Sequence, residues 1–195
     1  MKRFTAIAML LMFVLVVAIG CGGGVKDEVA VLDTTMGKIV LGFFPEEAPN
    51  HVANFKRLAR EGVYNGVLFH RVLPGFVIQT GDPKTADPNT PKMEYGTGGT
   101  GQNIGLELNS HKHERGAVGM ARSQDPNSAD SQFYITMDKQ PHLDDGYTVF
   151  GEVLDGMDVA DAIAAVPTDG VRGIPLEPVR INSVQILSRK EAGLK

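Results

Sequence analysis

The chain has 195 residues, enough for one domain with a sizeable core. It carries 19 basic and 23 acidic residues, a formal net charge of −4, with no basic stripe interleaved with aromatics, which argues against nucleic-acid binding. Its single cysteine, Cys21, excludes an internal disulfide.

Lys2 and Arg3 precede an apolar run from Phe4 to Val17, followed by Ala18-Ile19-Gly20 and Cys21. A positive start, a short apolar stretch and small residues form the pattern of a secretory signal. The run is short for a membrane-spanning helix. The order ending in cysteine resembles the lipobox of bacterial lipoproteins, with Ala18 where leucine is usual. That resemblance implies removal of residues 1–20, lipid on Cys21 and attachment to the cell envelope. No aspartate follows the cysteine, which by analogy directs the protein to the outer membrane where the host has one. An ordinary cleaved signal with a stray cysteine is the alternative. Loss of Lys2 and Arg3 takes the net charge from −4 to −6. Gly22-Gly23-Gly24 makes residues 21–27 a flexible tether.

From Glu28 the pattern becomes β-like. Val29 and Val31 lead through Asp33-Thr34-Thr35 to a turn at Met36-Gly37, and Lys38 to Phe44 returns as a second strand. Pro45 to Pro49 breaks it. A helix follows, with Val52, Phe55, Leu58 and Ala59 on one face and Lys56, Arg57 and Arg60 off it. Gly62 stops it. His51 and Asn54 belong to this helix as structural residues.

Leu68 to Asp82 reads LFHRVLPGFVIQTGD, two short apolar strands about a Pro74-Gly75 turn. Arg71 sits inside this apolar run, where it costs desolvation unless it is paired or used. A solvated arginine on the outer face of the hairpin is the competing reading.

Asp82 to Gly105 is poor in apolar residues and reads as a long surface loop. Its Gly96-Thr97-Gly98-Gly99-Thr100-Gly101 run has neither the following helix nor the Lys-Ser/Thr pair of a phosphate loop. His111 and His113 lack the further ligands of a zinc site and read as a polar loop, so no metal and no cofactor is expected. Gly116 to Arg122 and Gln132 to Met137 are strands, with a turn-rich loop from Ser123 to Asp130 between them. Asp144-Asp145 reads as a solvated turn rather than a catalytic pair, because adjacent side chains diverge. Thr148 to Val153 is another strand, and Met157 to Val166 a second helix ended by Pro167. Val179 to Leu187 is the last strand, and residues 189–195 form a polar tail. The count of about eight strands and two helices, without βαβ alternation, predicts a mainly β fold: a closed eight-stranded antiparallel barrel capped by two α-helices.

Phe69-His70-Arg71, Pro74-Gly75-Phe76, Gln79 and Gly81-Asp82 resemble the signature of the cyclophilins, the peptidyl-prolyl cis–trans isomerases. Gly116 to Ala121, Gln132 to Ile135, Leu143 and Val149 to Val153 extend the likeness over residues 28–188. The family fold, an eight-stranded barrel with two helices, agrees with the count made from the residues.

The resemblance implies catalysed rotation about X-Pro bonds, with proline-containing unfolded or extended polypeptides as partners; joined to the signal pattern at the N-terminus, it implies help with protein folding outside the cytoplasm. It implies Arg71 as the donor to the twisted amide, Phe76 as the floor of the proline pocket, and Gln79 as the residue that holds Arg71 and the substrate backbone. Val77, Tyr134 and Leu143 would complete the pocket. The backbone N–H of Arg122 would anchor the carbonyl before the proline. Ala121, Ser123 and Gln132 would line the adjoining groove, and His70 would position. His142 stands where the best-known members have tryptophan, Tyr147 where they have histidine, Tyr134 where they have phenylalanine, Val77 where they have methionine, and Arg122 where they have asparagine. Cyclosporin is therefore expected to bind weakly. Two alternatives differ in class. One is a proline-peptide-binding module or chaperone with incidental turnover, which the presence of Arg71 disfavours. The other is a hydrolase or metalloenzyme built on His111, His113 or Asp144, for which no complete residue set is present.

Overall fold

A computed structural model of the protein describes residues 27–194. The signal, Cys21 and most of the tether lie outside the described residues. The sheet has eight strands, all antiparallel: β1 (Glu28–Thr34), β2 (Gly37–Phe43), β3 (Arg71–Leu73), β4 (Val77–Thr80), β5 (Ala117–Met120), β6 (Phe133–Thr136), β7 (Val149–Asp155) and β8 (Ile181–Ser188). Their order is β3-β4-β6-β5-β7-β2-β1-β8. The helices are α1 (Pro49–Arg60) and α2 (Met157–Ala164).

The expected closed barrel is corrected to a curled half-barrel. β3 and β8 are the ends of the sheet and do not pair as a ladder. The segment before β3 spans the gap instead: Gly66 N–H donates to Ile181 O at 2.7 Å, Ile181 N–H to Val67 O at 2.9 Å, and Phe69 N–H to Val179 O at 2.9 Å. These bonds satisfy edge groups that would otherwise be open to pairing.

Alternation along β1 divides its residues between two clusters. Ala30 and Leu32 join the main core, while Val29 and Val31 pack with Val40 on the outside, against Leu154 and Leu187. Ala192 and Leu194 of the tail cover this outer cluster, and Arg189 N–H bonds to Asp27 O at 3.0 Å, so the tail folds back on the sheet. In the main core Phe55 of α1 meets the rings of Tyr64, Phe133 and Phe150 at 5.0, 5.1 and 5.5 Å between centroids.

α1 starts at Pro49 without a side-chain cap of its own. Glu107, from the long loop, supplies one: Asn50 N–H donates to Oε1 and His51 N–H to Oε2, both at 3.0 Å. His51 Nδ1 also meets Oε2, at 2.6 Å. Burial alone would raise the Glu107 carboxyl, but these hydrogen bonds hold it below the usual range. Lys56, read as lying off the apolar face, is in fact buried. Its ammonium reaches Glu28 at 3.0 Å and lies 4.8 Å over the Phe43 ring. Glu28 of β1 and Phe43 of β2 meet the lysine on this flank of α1, so its stem packs and only its paired head is polar. Gly156 precedes α2 as its N-cap, and its φ of +81° and close approach to Lys38 O leave no room for a Cβ.

Candidate active site

The β3–β4 hairpin sets the site. Its register places Arg71 opposite Gln79 and Leu73 opposite Val77, and Gly75 closes the turn with φ +70°. Gln79 is in turn opposite Tyr134 of β6, and Tyr134 opposite Gly119 of β5. A single row thus crosses four strands: Arg71, Gln79, Tyr134, Gly119. Glycine is required at Gly119 because a Cβ there would stand 2.3 Å from Tyr134 Cζ. The missing side chain is the space that the tyrosine ring occupies.

Around this row lies a pocket of about 220 Å³, lined by Arg71, Phe76, Val77, Gln79, Ala121, Arg122, Tyr134, Leu143 and Tyr147. Val77, Tyr134 and Leu143 form its buried base, with Phe76, Ala121 and Tyr147 around them, as an apolar cluster separate from the main core. Nine of the sequence-derived site residues therefore converge on one cavity. Ser123 and Gln132 line the neighbouring one, of about 530 Å³, which shares Gln79, Ala121 and Arg122 with the first.

Arg71 is half-buried, not the solvated arginine of the competing reading. Its guanidinium carbon is 5.5 Å from the Phe76 ring centroid, and burial lowers its pKa. Among the described residues no protein group forms a hydrogen bond to it. The expectation that Gln79 holds Arg71 is corrected. Gln79 Nε2 donates to Gln132 Oε1 at 3.0 Å, and Gln132 Nε2 continues to Gly96 O at 3.0 Å and Gly98 O at 2.8 Å. Gln79 faces Arg71 across the ladder, but its amide turns the other way, to a partner that can accept its proton.

Arg122 is pinned by its side chain. Nε and Nη2 donate to Gly146 O at 3.0 and 2.8 Å, and the guanidinium lies 4.7 Å over Tyr147. Its backbone N–H has no acceptor among the described residues, and the residue lines both cavities. Two sequence-derived residues stand outside the pocket. His142 is exposed and stacks on the outer side of Phe76, with centroids 5.4 Å apart. His70 is buried behind the hairpin, and neither ring nitrogen has a hydrogen-bond partner of good geometry. Burial pushes its pKa down to about 4.

Three features escaped the sequence reading. First, Tyr134 is tied from below: its hydroxyl donates to His113 Nε2 at 2.9 Å, and His113 Nδ1 meets Asp144 Oδ1 at 2.9 Å. Burial raises the Tyr134 pKa and lowers that of His113, while hydrogen bonds from His113, led by its backbone N–H, lower Asp144. Asp144 is thus a structural acceptor rather than part of a solvated turn; Asp145 alone is exposed. His111 takes a separate path and stacks on Phe44 at 3.7 Å. Second, Gln140 fixes the Leu143 turn to the hairpin, its Nε2 donating to Gly75 O at 2.7 Å. Third, Asp82 is fully buried and organises the glycine-rich loop, accepting from the N–H groups of Lys84, Gly96 and Gly98 at 2.9, 2.7 and 3.2 Å. The Gly81-Asp82 pair in the motif was its only signal.

A half-barrel that carries an apolar pocket, an unneutralised arginine at its rim and an open backbone donor beside it defines a peptide-binding isomerase site rather than a nucleophile or metal centre. Residues 29–186 match the family described as cyclophilin type peptidyl-prolyl cis-trans isomerase/CLD. The chain is 47% identical over 140 residues to a protein of Brucella abortus named "Probable peptidyl-prolyl cis-trans isomerase", covering 70% of this chain and 71% of that one. It is 41% identical over 152 residues to the peptidyl-prolyl cis-trans isomerase ppi1 of Schizosaccharomyces pombe, covering 77% and 93%. A crystal structure of a Cryptosporidium parvum cyclophilin, determined in the presence of the dipeptide Ala-Pro, superimposes with a TM-score of 0.73 at 30% identity, covering 82% of this chain and 99% of that one. The chain belongs to the cyclophilin family and is a peptidyl-prolyl cis–trans isomerase.

Proposed function

We propose that this isomerase acts outside the cytoplasm, held to the cell envelope by lipid on Cys21, and that it accelerates X-Pro rotation in extended polypeptides through Arg71. The observation that carries the reading is the unpaired, half-buried guanidinium of Arg71 at the rim of an apolar pocket of about 220 Å³. Rotation about a peptide bond is opposed by about 18–20 kcal/mol because it destroys amide resonance. A catalyst need only bind the twisted amide better than either planar form. On twisting, the proline nitrogen regains a lone pair, and a permanent cation within a desolvated rim stabilises it. Phe76, Val77, Tyr134 and Leu143 hold the proline ring by burial. The free N–H of Arg122 fixes the carbonyl before it. No group in this scheme changes protonation.

Exchange kinetics on a short proline peptide, for wild type and Arg71→Ala, test it. One charge-assisted hydrogen bond is worth about 1.5–3 kcal/mol, so the turnover of bound peptide should fall roughly ten- to a hundredfold with affinity little changed. Phe76→Ala should weaken binding and rate together. Near-full turnover in Arg71→Ala, or a rate that follows a histidine titration between about pH 6 and 8, would overturn the mechanism.

A further inference from the structure

Arg71 and Gln79 also border a third cavity, of about 340 Å³, next to the proline pocket. Leu73, Tyr95 and Ile174 give it apolar walls, His70 lies against it, and Arg172 adds a second guanidinium. No carboxylate lines it. The acids nearest along the chain are engaged elsewhere. Asp169 accepts from the N–H groups of Arg172 and Ile174 at 3.0 and 3.1 Å, and Glu94 pairs with Lys84 at 3.7 Å.

The cavity is preformed. Arg172 is held by two carbonyls, its Nη1 donating to Lys92 O and its Nη2 to Tyr95 O, both at 2.8 Å. Those bonds use two of its five donors, and carbonyls do not cancel its charge. The loop that carries it is closed by Asp169 N–H to Ile174 O at 2.9 Å and tied to β3 by Val72 N–H to Gly173 O at 2.7 Å. Gly173 sits at φ +74° with the position of a Cβ 2.7 Å from Val72 O, so this junction admits only glycine without rearrangement. One guanidinium held in place, that of Arg172, and the uncommitted one of Arg71, beside apolar walls, match a carboxylate on a short hydrocarbon stem.

From this geometry we infer that the cavity is a specificity subsite for an acidic side chain, aspartate or glutamate, within two residues after the proline. The inference rests on the proposed peptide site. Arg71 and Gln79 line both the proline pocket and this cavity, whereas Arg122 lines only the former, so a chain whose preceding carbonyl sits on Arg122 N–H would leave the proline on the side of Arg172. The chain as a whole is negatively charged, −4, so a preference for acidic peptides cannot come from its overall field.

The test uses acetylated, amidated proline peptides that differ only in Glu or Gln at the first or second position after the proline. Amidation removes the terminal carboxylate as a competing anion. Affinities are measured by titration against wild type, Arg172→Gln and Arg172→Lys. Wild type should bind one Glu peptide about three- to tenfold more tightly than its Gln counterpart at low salt. The ratio should shrink toward unity at about 0.5 M salt. It should vanish in Arg172→Gln and survive in part in Arg172→Lys. Equal affinities for Glu and Gln at both positions in wild type would overturn the subsite, as would an undiminished ratio in Arg172→Gln. The wild-type ratio needs no variant, so loosening of the loop by substitution cannot imitate it. Gln peptides that bind but are not isomerised would refute the catalytic reading alone. Turnover without a Glu preference would refute the subsite alone.

Discussion

His70 offers the sharpest test of how burial acts in this site. Its ring is 4% exposed and its nitrogens lack good partners. Burial pushes the pKa from 6.5 to about 4, and the Asp82 charge opposes this only in part. The unfolded chain therefore takes up this proton near pH 6.5, and the folded one only near pH 4. Below 6.5 the unfolded state binds more protons, so stability falls as the pH falls, and the loss levels off below about 4. The interval corresponds to about 3 kcal/mol when fully developed. His70→Leu removes the titrating group and places no polar atom in the cavity. Urea unfolding of both proteins from pH 7.5 to 4 measures the effect. Between pH 7 and 4.5 the wild type should lose roughly 2–3 kcal/mol more than the variant. His51 and His113, also lowered by burial, remain in both proteins and cancel in the comparison. Parallel stability curves would refute the assignment of a buried neutral His70.

Tyr134→Phe should leave His113 Nε2 buried without a donor, at a cost of about 1–3 kcal/mol, seen as a thermal midpoint lower by roughly 2–4 °C per kcal/mol. Its isomerase rate should stay within about twofold, because the ring wall is kept; a large loss of turnover would mean that the hydroxyl itself takes part. His142→Trp should tighten cyclosporin binding, since an indole stacked on Phe76 extends the apolar rim further than imidazole does; unchanged affinity in a titration would show that this position does not touch the drug. Mass spectrometry of the native protein should show Cys21 as a lipidated N-terminus; an unmodified cysteine or a retained Met1 would remove the envelope anchor.

What the sequence alone determined is what depends on neighbours along the chain. The apolar runs on either side of Pro74-Gly75 marked two short strands with Arg71 set among apolar residues, and the 3.6-residue period put Val52, Phe55 and Leu58 on one face of α1. Strand count and the absence of βαβ order then left few architectures, and the motif selected one. Only the tertiary structure decided which elements meet. Lys56 is buried because β1 brings Glu28 to it, and no local pattern records that partner. Gln79 bonds Gln132 rather than Arg71 because β6 lies on its other side, which leaves the guanidinium uncommitted. Asp82 reads as the polar start of a loop, yet it is the loop's buried anchor, since its acceptors meet amides that lie 14 and 16 residues further on. The gap between β3 and β8 follows the same rule. Composition and period call for closure, but whether the end strands pair depends on geometry summed over the whole sheet, and here the segment at residues 66–69 closes the gap in place of a ladder.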